Sequence, residues 1–468
     1  MNRMRRMEHI DEWIDANWEK IVAEIKTLVD IPSQEDCDHA GEGMPFGPGP
    51  RRALDAGLDL CRRLGMDSSC HEGFVGTADY VGRDPSKQIC LIAHLDTVPC
   101  GPGWTQDPHC MTRREGYLIG RGTLDDKGPF VIGAYAMRYW YEQGRELPYT
   151  LRMILGANEE TELRDVSYYL EHFSEPTFLF TPDAEFPVCY GEKGIYQGVF
   201  TSGSIAHPKI LQWDAGEAFN AIPTDACVTV VNPGTLPPTR EGISLTLEDD
   251  KLVISAKGKG GHASMPAETV NAIGMLVDYM LDYDLVSDDE RRFLELQKVL
   301  MDDYSGAGVG VAATDDLFGD LTIIGGKVWR DEDGTLHQSV DSRYPTTFSR
   351  EQFEQSLSAV AHKFGASYAT DNDTPPFYID PNGEEIQRLI KVYNDVTGED
   401  RKPFTIGGGT YAREFKNAAA FGPEMPWYTD PDWVGPMHGD DEGVSEDLLK
   451  LALKIYIVAI DEILDIVY

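Results

Sequence analysis

Apolar positions along the first 190 residues alternate between two spacings. Ile10, Trp13, Ile14, Trp18, Ile21, Val22, Ile25 and Leu28 recur at helical spacing, which predicts an amphipathic opening helix over residues 8–30. A Gly/Pro-rich loop at 41–50 precedes a helix-like run at 51–64. The continuous apolar runs QICLIAHL (88–95), TLRMILGA (150–157) and TFLFT (177–181) are too short for buried helices and suit strands covered on both faces. Helix-like runs at 129–143 and 162–173 separate them. Strand and helix in alternation predict an α/β fold with a mixed sheet. The three apolar runs lead to His94, to Glu159-Glu160 and to Asp183. Ligands of such sheets gather beyond the carboxyl ends of the strands, so these residues point at one place.

Near residue 194 the pattern changes. LTLEDDKLVISAKGKG and GKVWRDEDGTLHQSVDSRYP read as hairpins, and helix-like runs at 268–285, 288–302 and 350–364 accompany them. We therefore expect an α+β insertion over 194–380, flanked by the two parts of the α/β domain at 1–193 and 381–468. The second part holds a helix-like run at 383–397, the glycine-rich TIGGGTYAR and a terminal amphipathic helix at 445–467.

Composition narrows the function classes. A formal charge of -38, from 79 acidic against 41 basic residues, repels nucleic acid and anionic lipid, so neither is expected as a partner. The eight cysteines form no CxxC pair, which argues against a thiolate zinc site and fits reduced thiols in a cytoplasm. The basic start MNRMRR meets Glu8, Asp11 and Glu12 without an apolar segment, so neither a secretory signal nor a membrane span is expected.

Candidate chemistry lies at the strand ends. In His94-Leu95-Asp96, positions i and i+2 of extended chain face one side, so Asp96 could orient a metal-binding imidazole; alone, such a pair is more often a structural hydrogen bond. Asp125-Asp126, before Lys127-Gly128-Pro129, could bind metal or cap a helix. Glu159-Glu160 follows an apolar strand, where two adjacent charges are costly unless a cation or proton compensates. If Glu160 binds metal and Glu159 does not, Glu159 is available as a general base. Carboxylates with imidazoles, His438 included, favour Zn²⁺, with Mn²⁺ and Co²⁺ as alternatives, over Ca²⁺ or Mg²⁺.

The order HLDTVP, GRGTLDDKGP, NEET, TPDAEFP, GGHASMP and MHG resembles the two-zinc exopeptidases that include carnosinase, succinyl-diaminopimelate desuccinylase and bacterial glutamate carboxypeptidase. TPDAEFP, GKGGHASMP, VDSRYP and IGGGTYAR are most similar to the PepV-type bacterial dipeptidases. The resemblance implies a di-metal aminopeptidase-like catalytic domain with an inserted lid. It implies His94 and Asp183 on one metal, Glu160 and His438 on the other, Asp125 bridging, and a cis peptide before Asp126. Asp96 would orient His94, Glu159 would be the base, and His262 would stabilise an oxyanion. Arg343 would hold a substrate carboxylate with help from Gly407, Gly408, Gly409 and Thr410. Asn220 and Arg413 are further candidate substrate contacts, for which loop structure is an equal reading. Thr161-Glu162 stands where small residues are common in the family, which bears on substrate fit.

The expected activity is metal-dependent hydrolysis of dipeptides, with both free termini recognised, by a monomer whose lid replaces the dimer partner of shorter relatives. Removal of an acyl group from an N-acylated amino acid or diamino acid is the alternative reaction. A metal- or peptide-binding protein without activity is the non-enzymatic alternative, against which the intact Glu159 argues.

Overall fold

A computed structural model describes residues 3–425 and 427–468. The chain forms two compact units: Met1–Gly191, Tyr378–Phe404 and Gly409–Tyr468 make the first, and Glu192–Phe377 with Thr405–Gly408 make the second.

The first unit is built on a mixed sheet in the order Asp67–His71, Val75–Tyr80, Tyr149–Gly156, Asp84–His94, Phe178–Thr181, Ala418–Ala420 and Cys189–Glu192. Tyr149–Gly156, Asp84–His94, Phe178–Thr181 and Ala418–Ala420 run parallel, and Val75–Tyr80 and Cys189–Glu192 are antiparallel to their neighbours. Every residue of Tyr149–Gly156 is buried, which explains its largely apolar pattern. Its one cation, Arg152, is compensated by a two-pronged pair with Asp79 at 2.7 Å per bond and by the Tyr169 hydroxyl at 3.2 Å.

The helices Arg3–Val29, Lys127–Glu142 and Glu446–Leu464 pack on one another, and Lys127–Glu142 rests on the strand Asp84–His94. Trp18 and Arg113 both donate to the carboxylate of Glu446, at 2.6 and 2.7 Å, which ties the opening and closing helices together. Parallel strands connected through helices end on the same edge of the sheet, and that edge carries His94, Gly156 and Thr181.

The second unit is an antiparallel sheet in the order Ile243–Glu248, Lys251–Lys257, Asp225–Val231, Ile210–Ala215, Val328–Arg330, Leu336–Tyr344, Gly194–Thr201 and Ser367–Thr374. Burial alternates along Gly194–Thr201 and Lys251–Lys257, as expected when one face is covered. The helices Ala272–Asp282, Asp288–Met301 and Arg350–Lys363 contribute buried apolar residues to that core.

The α/β class expected from the pattern is the observed one, and both hairpins of the second unit fall where the sequence places them. The helix read at 268–285 is shorter, Ala272–Asp282, because Asn271 caps it by accepting from the backbone N–H of Ile273 at 2.9 Å. The strands Asp67–His71 and Val75–Tyr80 escape sequence reading, since DSSCH is polar with no buried residue and Gly76 and Asp79 interrupt the β-formers of VGTADY.

Leu151 lies fully buried in the central sheet. Leu151→Ala is expected to lower the unfolding free energy of the first unit by ~3 kcal/mol, read from the urea midpoint at constant slope.

Candidate active site

His94 is the last residue of its strand and is fully buried. Its backbone N–H donates to Asp126 Oδ2 at 3.1 Å. Its ring Nδ1 lies 3.1 Å from the backbone oxygen of Asp96 and 3.5 Å from the Asp96 carboxylate. Donation from Nδ1 to that carbonyl leaves the Nε2 lone pair facing the centre of the cluster. Asp96 Oδ2 also accepts from the backbone N–H of Glu160 at 3.1 Å, so Asp96 joins the ends of two neighbouring strands.

Two groups of donor atoms share Asp125. His94 Nε2 is 2.9 Å from Asp125 Oδ1 and 3.7 Å from Asp183 Oδ2. His438 Nε2 is 2.8 Å from Asp125 Oδ2 and 3.1 Å from Glu160 Oε2. Glu159 offers an oxygen within 4.8 Å of those of His94 and Asp183. The Asp125-Asp126 peptide is cis, and His438 sits at φ 62° in a loop that brings its half-exposed ring to the buried carboxylates.

The electrostatics follow from this crowding. Burial, reinforced by the charge of Asp183, pushes the Glu159 carboxyl well above the usual range. Burial and the charge of Asp125 raise Asp183 to about 7, and they raise Glu160 as well. Burial disfavours the charged form of His94, but Asp125 and Asp96 more than offset it and hold the imidazole above its ordinary value. His438 is pushed up to about 11, its desolvation likewise outweighed by Asp125 and Glu160. The two imidazoles in turn overcome the burial of Asp125 and depress its carboxyl. Protons therefore stand in for missing positive charge.

His94 Nε2 and Asp125 Oδ1 are buried without a hydrogen bond of sound geometry despite their 2.9 Å separation. Orphaned polar atoms of this kind fit donors aimed at a common cation, and an imidazole-carboxylate set suits a borderline divalent ion. The residues present fit a divalent metal held by imidazole and carboxylate donors.

Three supporting groups have no role assigned to them by the sequence reading. Arg121 and Glu442 form a fully buried ion pair. Glu442 Oε1 accepts from the backbone N–H groups of Gly122, Leu124 and Asp125 at 3.0, 3.1 and 3.3 Å, while Arg121 Nη2 donates to the carbonyls of His438 and Gly439 at 3.1 Å. One pair thus fixes the loops of both Asp125 and His438. Asp165, also buried, accepts from the backbone N–H groups of Ala157 and Asn158 at 2.7 and 2.9 Å and from the Tyr411 hydroxyl. A Cβ on Gly156 would fall 1.9 Å from that hydroxyl, so glycine is required where Tyr411 crosses the strand end. The GRG and DDE contexts of Arg121 and Glu442 were visible in sequence; nothing marked Asp165.

The remaining candidates divide between the units. Asn220 and His262 are neighbours in the second unit: the Asn220 carbonyl accepts from the Ala263 N–H at 2.8 Å, and Ala221 pairs with His262. His262 is exposed, with Nδ1 2.8 Å from the Ser264 hydroxyl. Arg343 is buried, and much of its fork is engaged by Asp341 at 2.8 and 3.4 Å, while Nη1 donates to the Gly407 carbonyl at 3.1 Å. Gly408 also belongs to the second unit, whereas Gly409, Thr410 and Arg413 belong to the first. Thr410 caps the short turn Tyr411–Glu414 by accepting from the Ala412 N–H at 3.1 Å.

The family model for peptidase family M20/M25/M40 matches residues 90–462. This chain belongs to that family. It is 31% identical over 472 residues to a β-Ala-Xaa dipeptidase of Lactobacillus delbrueckii subsp. lactis, covering 97% of each protein. A putative dipeptidase of Staphylococcus aureus is 29% identical, over 94% of this chain and 96% of that protein. The M20 fold is shared with human carnosine dipeptidase 1, at a TM-score of 0.61 and 15% identity over 98% of this chain and 99% of the other. The yeast di-peptidase Dug1p gives 0.62 and 12%, over 99% of both chains. Membership makes this M20 protein a metallopeptidase, as the order of its motifs implies.

Replacing Arg121 by Met would leave the Glu442 charge buried and unpaired. We expect a loss of ~3–5 kcal/mol in chemical denaturation and weaker metal binding by calorimetry; an unchanged stability would refute the structural weight placed on this pair.

Proposed function

We propose that this protein is a dipeptidase that uses two divalent ions, held by His94 and Asp183 on one side and Glu160 and His438 on the other, with Asp125 between them. The observation that carries the reading is the division of donor atoms into two groups sharing Asp125, with Glu159 beside them. The whole-length similarity to a β-Ala-Xaa dipeptidase supports the substrate class. The ions are Zn²⁺, with Mn²⁺ or Co²⁺ as alternatives the donor set accepts equally well.

Bound metal would polarise the scissile carbonyl and acidify the attacking water. Glu159 takes a proton from that water and passes it to the departing amine, a task suited to a carboxylate that lies beside the ligand cluster. Asp96 keeps His94 in one orientation through the adjoining carbonyl and fixes the Glu160 backbone. Of the second unit's residues, Arg343 takes the carboxylate terminus and His262 donates to the developing oxyanion. The protein acts as a monomer in the cytoplasm; among the described residues none of its eight cysteines is in a disulfide, which fits a reducing compartment. Among the described residues no helix is long and apolar enough to cross a membrane.

A panel of dipeptides and N-acyl amino acids, offered to protein stripped by chelator and reloaded with each ion, tests this reading. Activity should vanish on stripping, return with metal and favour dipeptides; dominant acyl cleavage would replace the proposal with an amidohydrolase. Glu159→Gln is expected to retain two metal equivalents while kcat falls by ~10²–10⁴-fold. Retained turnover would remove Glu159 as the base.

A further inference from the structure

A cavity of about 360 Å³ adjoins the metal-ligand cluster within the first unit, with Glu35, Asp36, Asp38, Thr97 and Glu160 among its lining residues. Glu160 belongs to both, so a molecule reaching the cluster meets this cavity beside the reacting bond. Its carboxylates differ in their commitments. Glu35 is neutralised by Arg164 and also accepts from Asn158 Nδ2 at 3.2 Å. Among the described residues the Asp36 carboxylate pairs with the exposed His39 ring alone, at 2.8 Å, and Asp38 is exposed. Acidic groups are plentiful on a chain of charge -38, and these alone would be a solvated face.

Thr97 separates the cavity from an ordinary acidic surface. Thr97 is 98% buried, and among the described residues its Oγ1 has no hydrogen-bond partner. A buried hydroxyl without a partner is costly unless something entering the cavity supplies one. An ammonium or guanidinium group has the donors a hydroxyl oxygen can accept, and the charge that Asp36 and Asp38 attract.

We propose that this cavity is a specificity subsite for a cationic side chain of the substrate, lysine, ornithine or arginine; the inference rests on the dipeptidase reading. Asp36 and Asp38 select the charge, Thr97 receives one N–H, and the apolar stem lies along Val98 and Pro99.

Norleucine has lysine's stem without its charge, so paired substrates isolate the charge. The metal-loaded enzyme should show a kcat/KM about tenfold higher for Lys-Ala than for norleucine-Ala, or for Ala-Lys than for Ala-norleucine, with the advantage shrinking as salt is added. The pair that shows the preference tells which substrate residue enters. In Asp36→Asn/Asp38→Asn the ratio should approach one, and in Asp38→Lys glutamate should replace lysine as the preferred side chain. Ratios near one for both pairs in the unaltered enzyme would overturn the subsite. Cleavage of Ala-Ala reports separately on the dipeptidase reading. If no dipeptide is cleaved, calorimetric binding decides: tighter binding of Lys-Ala than of norleucine-Ala, lost in Asp38→Asn, supports the subsite, and equal binding refutes it.

Discussion

Four carboxylates and an imidazole, from Asp125, Glu159, Glu160, Asp183 and His94, occupy one nearly dry volume at the end of a parallel sheet. Such a concentration of negative charge is unstable unless positive charge enters with it. In the protein alone that role falls to protons: Glu159, Glu160 and Asp183 are all driven toward their neutral forms and both imidazoles toward their charged ones. Two divalent ions would do the same task with four charges at fixed positions. The architecture around the cluster keeps these carboxylates together against their mutual repulsion.

That architecture is itself made of buried charge. Arg121 and Glu442 reach the backbone of both Asp125 and His438, and Asp165 with Tyr411 holds the backbone just before Glu159. Neither arrangement adds a ligand. Each converts a loop, which would otherwise relax away from a charged centre, into an extension of the sheet. Buried ion pairs are poor sources of net stability, but they are demanding about geometry, which is what positioning a ligand to a fraction of an ångström requires.

Much of this was legible in the sequence because the relevant physics is local. Tyr149–Gly156 and the second half of Asp84–His94 are buried on both faces and largely apolar, so their ends could be located and with them His94 and Glu159. The polar strand Asp67–His71 pairs at the edge of the sheet, where no apolar pattern is demanded, and left no signal. Arg343 shows the other limit. Its motif marks a guanidinium set for a carboxylate, and the structure adds Asp341, two residues away on the same strand, as a partner that holds Nε and Nη2. Sequence names a donor's chemistry; only the fold shows which acceptor is within reach. Asp165 lies further beyond reading, since its importance comes from a hydroxyl 246 positions away.

The two donor groups are alike in chemistry and unlike in setting. His94 is fully enclosed and its backbone is pinned by the sheet, whereas the side chain of His438 is 50% exposed and its loop depends on Arg121 for its anchor. Desolvation strengthens every interaction at the first group and weakens as one moves toward the second. An enclosed group can hold charge firmly while an open one admits a substrate carbonyl and exchanges with solvent, and a hydrolase needs both properties within a few ångströms. Placing one imidazole on a strand end and the other on a loop, with a single carboxylate shared between them, meets both demands with the fewest residues.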